Sequence, residues 1–115
     1  MRLLVCGTRM PKKYRNAYKQ TVYDYIAQNY SVGETTIVEG CCKDSADEFA
    51  EEFAKENGYD IKHFPSTSGN YLRRNVEMVN ECDEVIAFWD GWSYGTAHTI
   101  ARALLSGIPV EIIQI

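Results

Sequence analysis

The residues best suited to chemistry form a turn near the C-terminal end, Asp90-Gly91-Trp92-Ser93-Tyr94-Gly95-Thr96, just ahead of an amphipathic stretch. A turn of this composition that opens a helix leaves backbone N–H groups free to hold an anion, and Ser93, Gly95 and Thr96 are the residues to do so. Gly7-Thr8-Arg9 offers a second anion-facing edge. Its glycine lets a ligand approach the backbone, and its arginine supplies a two-pronged donor. Arg74 and Asn75 fall near the start of a predicted helix, where a positive charge works against the helix dipole. Arg74 is therefore read as held for a ligand anion. Three carboxylates, Glu39, Asp47 and Asp90, fall near the same edge. Asp47 also suits the first turn of a helix, so a structural role and a ligand-binding role both fit it.

These groups need a scaffold, and the hydrophobic pattern supplies one. The unbroken apolar run from Val85 to Trp89 is that of a strand covered on both faces, and it predicts a strand over 84–89 in the middle of a parallel sheet. Further strands are predicted over 3–6, 35–39, 59–64 and 109–115. Between them lie four helices. The first begins after Pro11 and runs to about 29, with a tyrosine-rich face that suits sheet packing or a subunit interface. The second opens on a Ser45-x-x-Glu48 capping box and stops at Asn57-Gly58. The third covers 71 to about 81, capped by Asn70, with Leu72, Val76 and Val79 as its apolar stripe. The fourth covers 95 to about 106, burying Ala97, Ile100, Ala101, Leu104 and Leu105.

Five strands alternating with four helices predict an α/β, Rossmann-like three-layer domain: a parallel sheet in the order 3-2-1-4-5 with right-handed crossovers. The ligand crevice then lies beyond the carboxyl ends of strands 1 and 4. Gly7, Thr8, Arg9, Gly40 and the turn 90–96 all fall on that edge, with the polar loop 65–70 beside it.

Length and charge narrow the choices. At 115 residues and 45% hydrophobic content, one domain with a real core is expected. No signal-like or membrane-length apolar segment is visible, which predicts a cytoplasmic protein without membrane contact. A formal net charge of −4 argues against a general grip on nucleic acid, so nucleic acid is expected to be an unlikely partner. Cys6, Cys41, Cys42 and Cys82 lack C-x-x-C spacing, and His63 and His98 are read as ordinary surface or strand-end residues. Free thiols and no metal are expected. The dinucleotide G-x-G-x-x-G fingerprint and the Walker lysine loop are missing, and no cofactor is expected.

Taken together, Leu-Val-Cys-Gly-Thr-Arg at 4–9, Val-Glu-Gly at 38–40, Ala-Asp at 46–47, Arg-Asn-x-x-Met at 74–78 and Ser-x-Gly-Thr at 93–96 resemble the small SLOG superfamily proteins. Ile100, Ala103, Gly107 and Pro109-Val110 extend the likeness over nearly the whole chain. The match is to the YspA/YpsA-related branch, whose relatives include the LOG phosphoribohydrolases and the DNA-processing protein DprA. The resemblance implies a nucleotide or nucleotide-derived ligand surrounded by Gly7, Thr8, Arg9, Gly40, Arg74, Asn75, Ser93, Gly95 and Thr96. LOG enzymes cleave a nucleotide N-glycosidic bond with an arginine and a glutamate. Arg74 matches the arginine, whereas Thr99 stands where the glutamate belongs. Nucleoside 2-deoxyribosyltransferases have a similar segment, and again Thr99 replaces their carboxylate. Chemistry of either kind would need another acid, and Glu39, Asp47 and Asp90 are the candidates for that acid–base work. Two functions follow: a nucleotide-binding sensor module, or an N-glycosidic hydrolase or transferase in which Arg74 orients the phosphate and Asp90 or Glu39 moves the proton. Pairing of relatives through helices implies a homodimer or higher homo-oligomer. Single-stranded nucleic acid binding, by analogy with DprA, is set aside on the acidic charge.

Overall fold

Strands β1 Arg2–Gly7, β2 Thr36–Glu39, β3 Asp60–His63, β4 Glu84–Trp89 and β5 Val110–Gln114 pair in parallel in the order β3-β2-β1-β4-β5, as predicted. Helices α1 Arg15–Asn29, α2 Ala46–Asn57, α3 Tyr71–Asn80 and α4 Tyr94–Leu105 connect them. The computed structural model describes residues 1–66 and 69–115; Thr67 and Ser68, inside the polar loop singled out at 65–70, lie outside the described residues. Among the described residues no helix is long and apolar enough to cross a membrane.

The period-2 geometry of a strand sends alternate residues to opposite faces, and β1 and β4 use both. Leu3, Val5, Ile86 and Phe88 face α1 and α2, where they pack with Val22, Ile26, Phe49 and Phe53. Leu4, Cys6, Val85 and Ala87 face α3 and α4, where they meet Met78, Val79, Ile100 and Ala103. The apolar run that predicted β4 is thus explained by two cores, one on each side of the sheet.

Tyr18 ties the first core to the edge where the ligand crevice was expected. Its buried hydroxyl donates to the Thr8 carbonyl at 2.8 Å and accepts from the Ala46 N–H at 3.1 Å, joining the end of β1 to the start of α2. A Cβ at Gly7 would lie 2.8 Å from both the Ala46 Cβ and the Phe88 carbonyl oxygen, so the glycine is there for packing. Tyr18→Phe strands two buried polar groups at once. It should lower stability by about 2 kcal/mol in urea denaturation, with the ordered fold retained.

Several local expectations change. Pro11 is followed by a 3-10 turn, Lys12–Tyr14, before α1 begins, because the Tyr14 N–H closes a short turn onto the Pro11 carbonyl. The capping box does not close. Ser45 accepts from the Asp47 N–H, and the Glu48 carboxylate takes the Asp44 N–H together with Arg15. Asn70 makes no side-chain cap on α3, and Leu72 is exposed while Asn75, Met78 and Val79 are buried. In α4 the buried stripe is Thr96, Thr99, Ile100 and Ala103. Leu104 and Leu105 are 63% and 81% exposed, the reverse of the expectation. Thr99 can be buried because its hydroxyl donates to the Gly95 carbonyl at 3.2 Å.

Candidate functional site

A cavity of about 750 Å³ opens at the carboxyl edge of the sheet. That is within the roughly 300–1,000 Å³ usual for small-ligand sites, and the switch between β1 and β4 is where such folds place them. Gly7 and Arg9 line it from the end of β1, and Gly40, Cys41, Cys42, Lys43 and Asp44 from the loop after β2. Asp47 comes from α2, Tyr71, Arg74, Asn75 and Met78 from α3, and Gly95, Thr96 and Thr99 from α4. The opening turns of three helices therefore meet around one space.

Arg74 is held in place on its wall. Nη1 donates to the carbonyls of Gly40 and Phe64, and Nε donates to the Asn75 side-chain oxygen at 3.0 Å. All three acceptors are neutral, so these bonds orient the guanidinium, and the charge nearest to it is that of the Asp47 carboxylate. Gly40 is required by this arrangement: a Cβ there would lie 2.8 Å from the Arg74 Cζ. Asn75, buried, carries the alignment on to α4 by donating to the Gly95 carbonyl at 3.4 Å and to Nδ1 of His98 at 3.3 Å.

Asp47 is the buried carboxylate of the wall. Its Oδ2 accepts from the Gly40 N–H at 3.0 Å and its Oδ1 accepts from the Ser45 hydroxyl at 3.3 Å. Burial and the neighbouring Glu39 carboxylate push its carboxyl up to about 6, against the opposing pull of Arg74.

The other predicted residues sit elsewhere: Thr8, Glu39, Asp90 and Ser93 are absent from the cavity's described lining. Thr8 is a buried strap whose hydroxyl accepts from the Asp90 N–H at 3.0 Å. The Asp90 carboxylate accepts from the N–H groups of Trp92 and Ser93, and those two bonds hold its carboxyl below the usual range. It braces the start of α4 and has no proton to offer near neutral pH. Trp89 adds to that brace, donating from Nε1 to the Ser93 carbonyl at 3.0 Å. Glu39 is fully buried, accepts from the Cys41 N–H and pairs with Nδ1 of His63. Neither candidate acid faces the cavity. Thr99, placed by the resemblance at the glutamate position, does line the cavity. Sequence reasoning missed Cys41, Lys43, Tyr71 and Met78 as lining, and it missed the contact of His63 with Glu39 and Cys41, which follows from the pairing of β2 with β3.

No family model matches this sequence, and no curated protein matches it. Solved structures do. DNA processing protein A (DprA) from Streptococcus pneumoniae superposes with a TM-score of 0.73 at 18% identity, over 96% of this chain and 49% of that one. DprA from Helicobacter pylori, described for its single-stranded DNA binding mode, superposes with a TM-score of 0.67 at 20% identity, over 97% of this chain and 64% of that one. The chain shares the Rossmann-like fold of these DprA structures. It spans less than two thirds of either DprA chain. One expectation is overturned here. The charge of −4 was read as making nucleic acid an unlikely partner, yet a protein of this fold is described as binding single-stranded DNA. Net charge is the wrong measure for single strands, which local cations and stacking side chains suffice to hold.

Proposed function

We propose that the cavity binds a nucleotide or a nucleotide-derived small molecule and that the protein acts as a ligand-binding module. The observation that carries this reading is the meeting of helix openings around the Arg74 guanidinium. The first helical bond of α4 runs from the Ala97 N–H to the Ser93 carbonyl, and that of α3 from the Arg74 N–H to the Asn70 carbonyl. The N–H groups ahead of them, at 94–96 and 71–73, precede the helical ladder and are the natural donors for a phosphate. The opening turn of α2 already carries Asp47 and Glu48, so an anion belongs on the α3 and α4 side. Trp92 and Tyr94, both exposed, provide flat faces next to that turn for a base. Thr99 in the place of a carboxylate favours holding the ligand over cleaving it.

Single-stranded DNA is the second reading, favoured by the description of the Helicobacter pylori protein. A backbone phosphate would use the same helix openings and a base the same aromatic faces. A thermal-shift series with nucleoside mono-, di- and triphosphates, ADP-ribose and a short single-stranded oligonucleotide separates the two, with each mixture then chromatographed for free base. A ligand at about 100 times its Kd adds roughly 2.7 kcal/mol, a plain shift in Tm. A shift with a mononucleotide and no free base is the expected result. A shift only with the oligonucleotide, falling with salt, selects the second reading. Released free base makes the protein an N-glycosidic enzyme, and no shift with any of them overturns the proposal.

A further inference from the structure

Glu39, Cys41 and His63 each present a metal-ligating atom within 4.8 Å of the others. The Cys41 Sγ lies 3.5 Å from the Glu39 Oε1 and 3.6 Å from the His63 Nδ1. With zinc bonds of about 2.3 Å to sulfur and about 2.0–2.1 Å to oxygen and nitrogen, a tetrahedron has S···O and S···N edges of about 3.5 and 3.6 Å. Two sides of the triangle already have those lengths. The third requires His63, now hydrogen-bonded to the Glu39 carboxylate, to turn away until nitrogen and oxygen are about 3.3 Å apart. Its side chain is 42% exposed and has room to do so.

We propose that Glu39 Oε1, Cys41 Sγ and His63 Nδ1 form a binding site for a zinc-class divalent cation, with a fourth position left for water. The ligand set is one thiolate, one imidazole and one carboxylate, which suits zinc and excludes the all-oxygen preference of magnesium and calcium. Glu39 and His63 are register partners across β2 and β3, so the sheet itself sets two of the ligands. The other Glu39 oxygen accepts from the Cys41 N–H, which anchors the third. On the far side of the imidazole, the Glu51 carboxylate stands 3.8 Å from Nε2, where metal-bound histidines commonly present that N–H to a carboxylate. An ion there also supplies positive charge to Glu39, a fully buried carboxylate beside buried Asp47. On binding, the thiol proton passes to solvent and the His63–Glu39 hydrogen bond gives way to two metal bonds. The site does not depend on the nucleotide reading, although Cys41 also lines the cavity and places the ion at its edge.

Zinc chloride titrated calorimetrically into the reduced full chain tests this. One equivalent should bind, and cobalt(II) should give the near-ultraviolet charge-transfer band of a thiolate ligand. Cys41 has φ +61°, a conformation natural to glycine, so Cys41→Gly removes the ligand without straining the loop. Cys41→Gly and His63→Ala should each weaken zinc binding at least tenfold, and Cys41→Gly should abolish the cobalt band. Cys42→Ser, at the neighbouring thiol that contacts Arg9, should leave zinc affinity unchanged. Absence of stoichiometric binding, equal affinity in Cys41→Gly, or dependence on Cys42 in its place would overturn the proposal.

Discussion

Arg74→Ala is expected to weaken binding of a nucleoside phosphate by roughly 100-fold, the scale of about 2.7 kcal/mol for charge-assisted hydrogen bonds to an anion. The guanidinium is held over Gly40 by bonds to neutral acceptors, which orient it for a ligand anion although the Asp47 carboxylate lies nearby. Arg74→Lys should recover part of the affinity, because an ammonium keeps the charge and loses the fork. Folding should survive both changes. The half-buried side chain contributes hydrogen bonds to the Gly40 and Phe64 carbonyls, and their loss should cost about 1 kcal/mol in urea denaturation. Titration calorimetry with the nucleotide found in the thermal-shift series measures the first effect. An affinity unchanged in Arg74→Ala would move the anion site away from α3.

The sheet was legible because its signals are redundant. An apolar run such as 85–88 has few alternatives once helices flank it on both sides, and the right-handed crossover rule leaves only a handful of strand orders to choose from. Gly40, Arg74, Asn75, Gly95 and Thr96 were legible as neighbours for the same reason: topology brings strand ends to one edge. What the residue types do not reveal is which hydrogen bonds a side chain has already made. Asp90 and Glu39 look like free acids in the sequence, but backbone N–H groups at 92, 93 and 41 occupy them. The α4 stripe failed for a related reason. Hydrophobicity favoured Leu104 and Leu105, whereas the buried face is set by threonines whose polarity is masked locally, as Thr99 is by the Gly95 carbonyl. The cluster of Glu39, Cys41 and His63 depends on strand register, and no spacing along the chain encodes it.

Asp47→Asn is expected to stabilise the protein at neutral pH and to flatten its pH dependence. Burial beside Glu39 raises the Asp47 carboxyl from the ordinary 3.8 to about 6. The folded protein therefore binds this proton more tightly than the unfolded chain does. Below about pH 4 both forms are protonated and the group costs nothing. As pH rises from there to about 6 the unfolded chain ionises first, so stability falls across that window. Above it the penalty is complete, on the order of 3 kcal/mol. Asparagine cannot ionise, yet its amide oxygen can still accept from the Gly40 N–H. Urea denaturation should show the two proteins alike near pH 4 and the variant more stable by about 1–2 kcal/mol near pH 7. Equal slopes against pH would assign the titration to another group. Asp47 lines the cavity together with the oriented Arg74, so its ionisation would place a negative charge on the wall a ligand meets. It is also the one acid among those considered that faces the cavity with a proton to exchange near neutral pH. If free base is ever released from a nucleotide by this protein, Asp47→Asn should abolish that release while leaving Arg74-dependent binding in place.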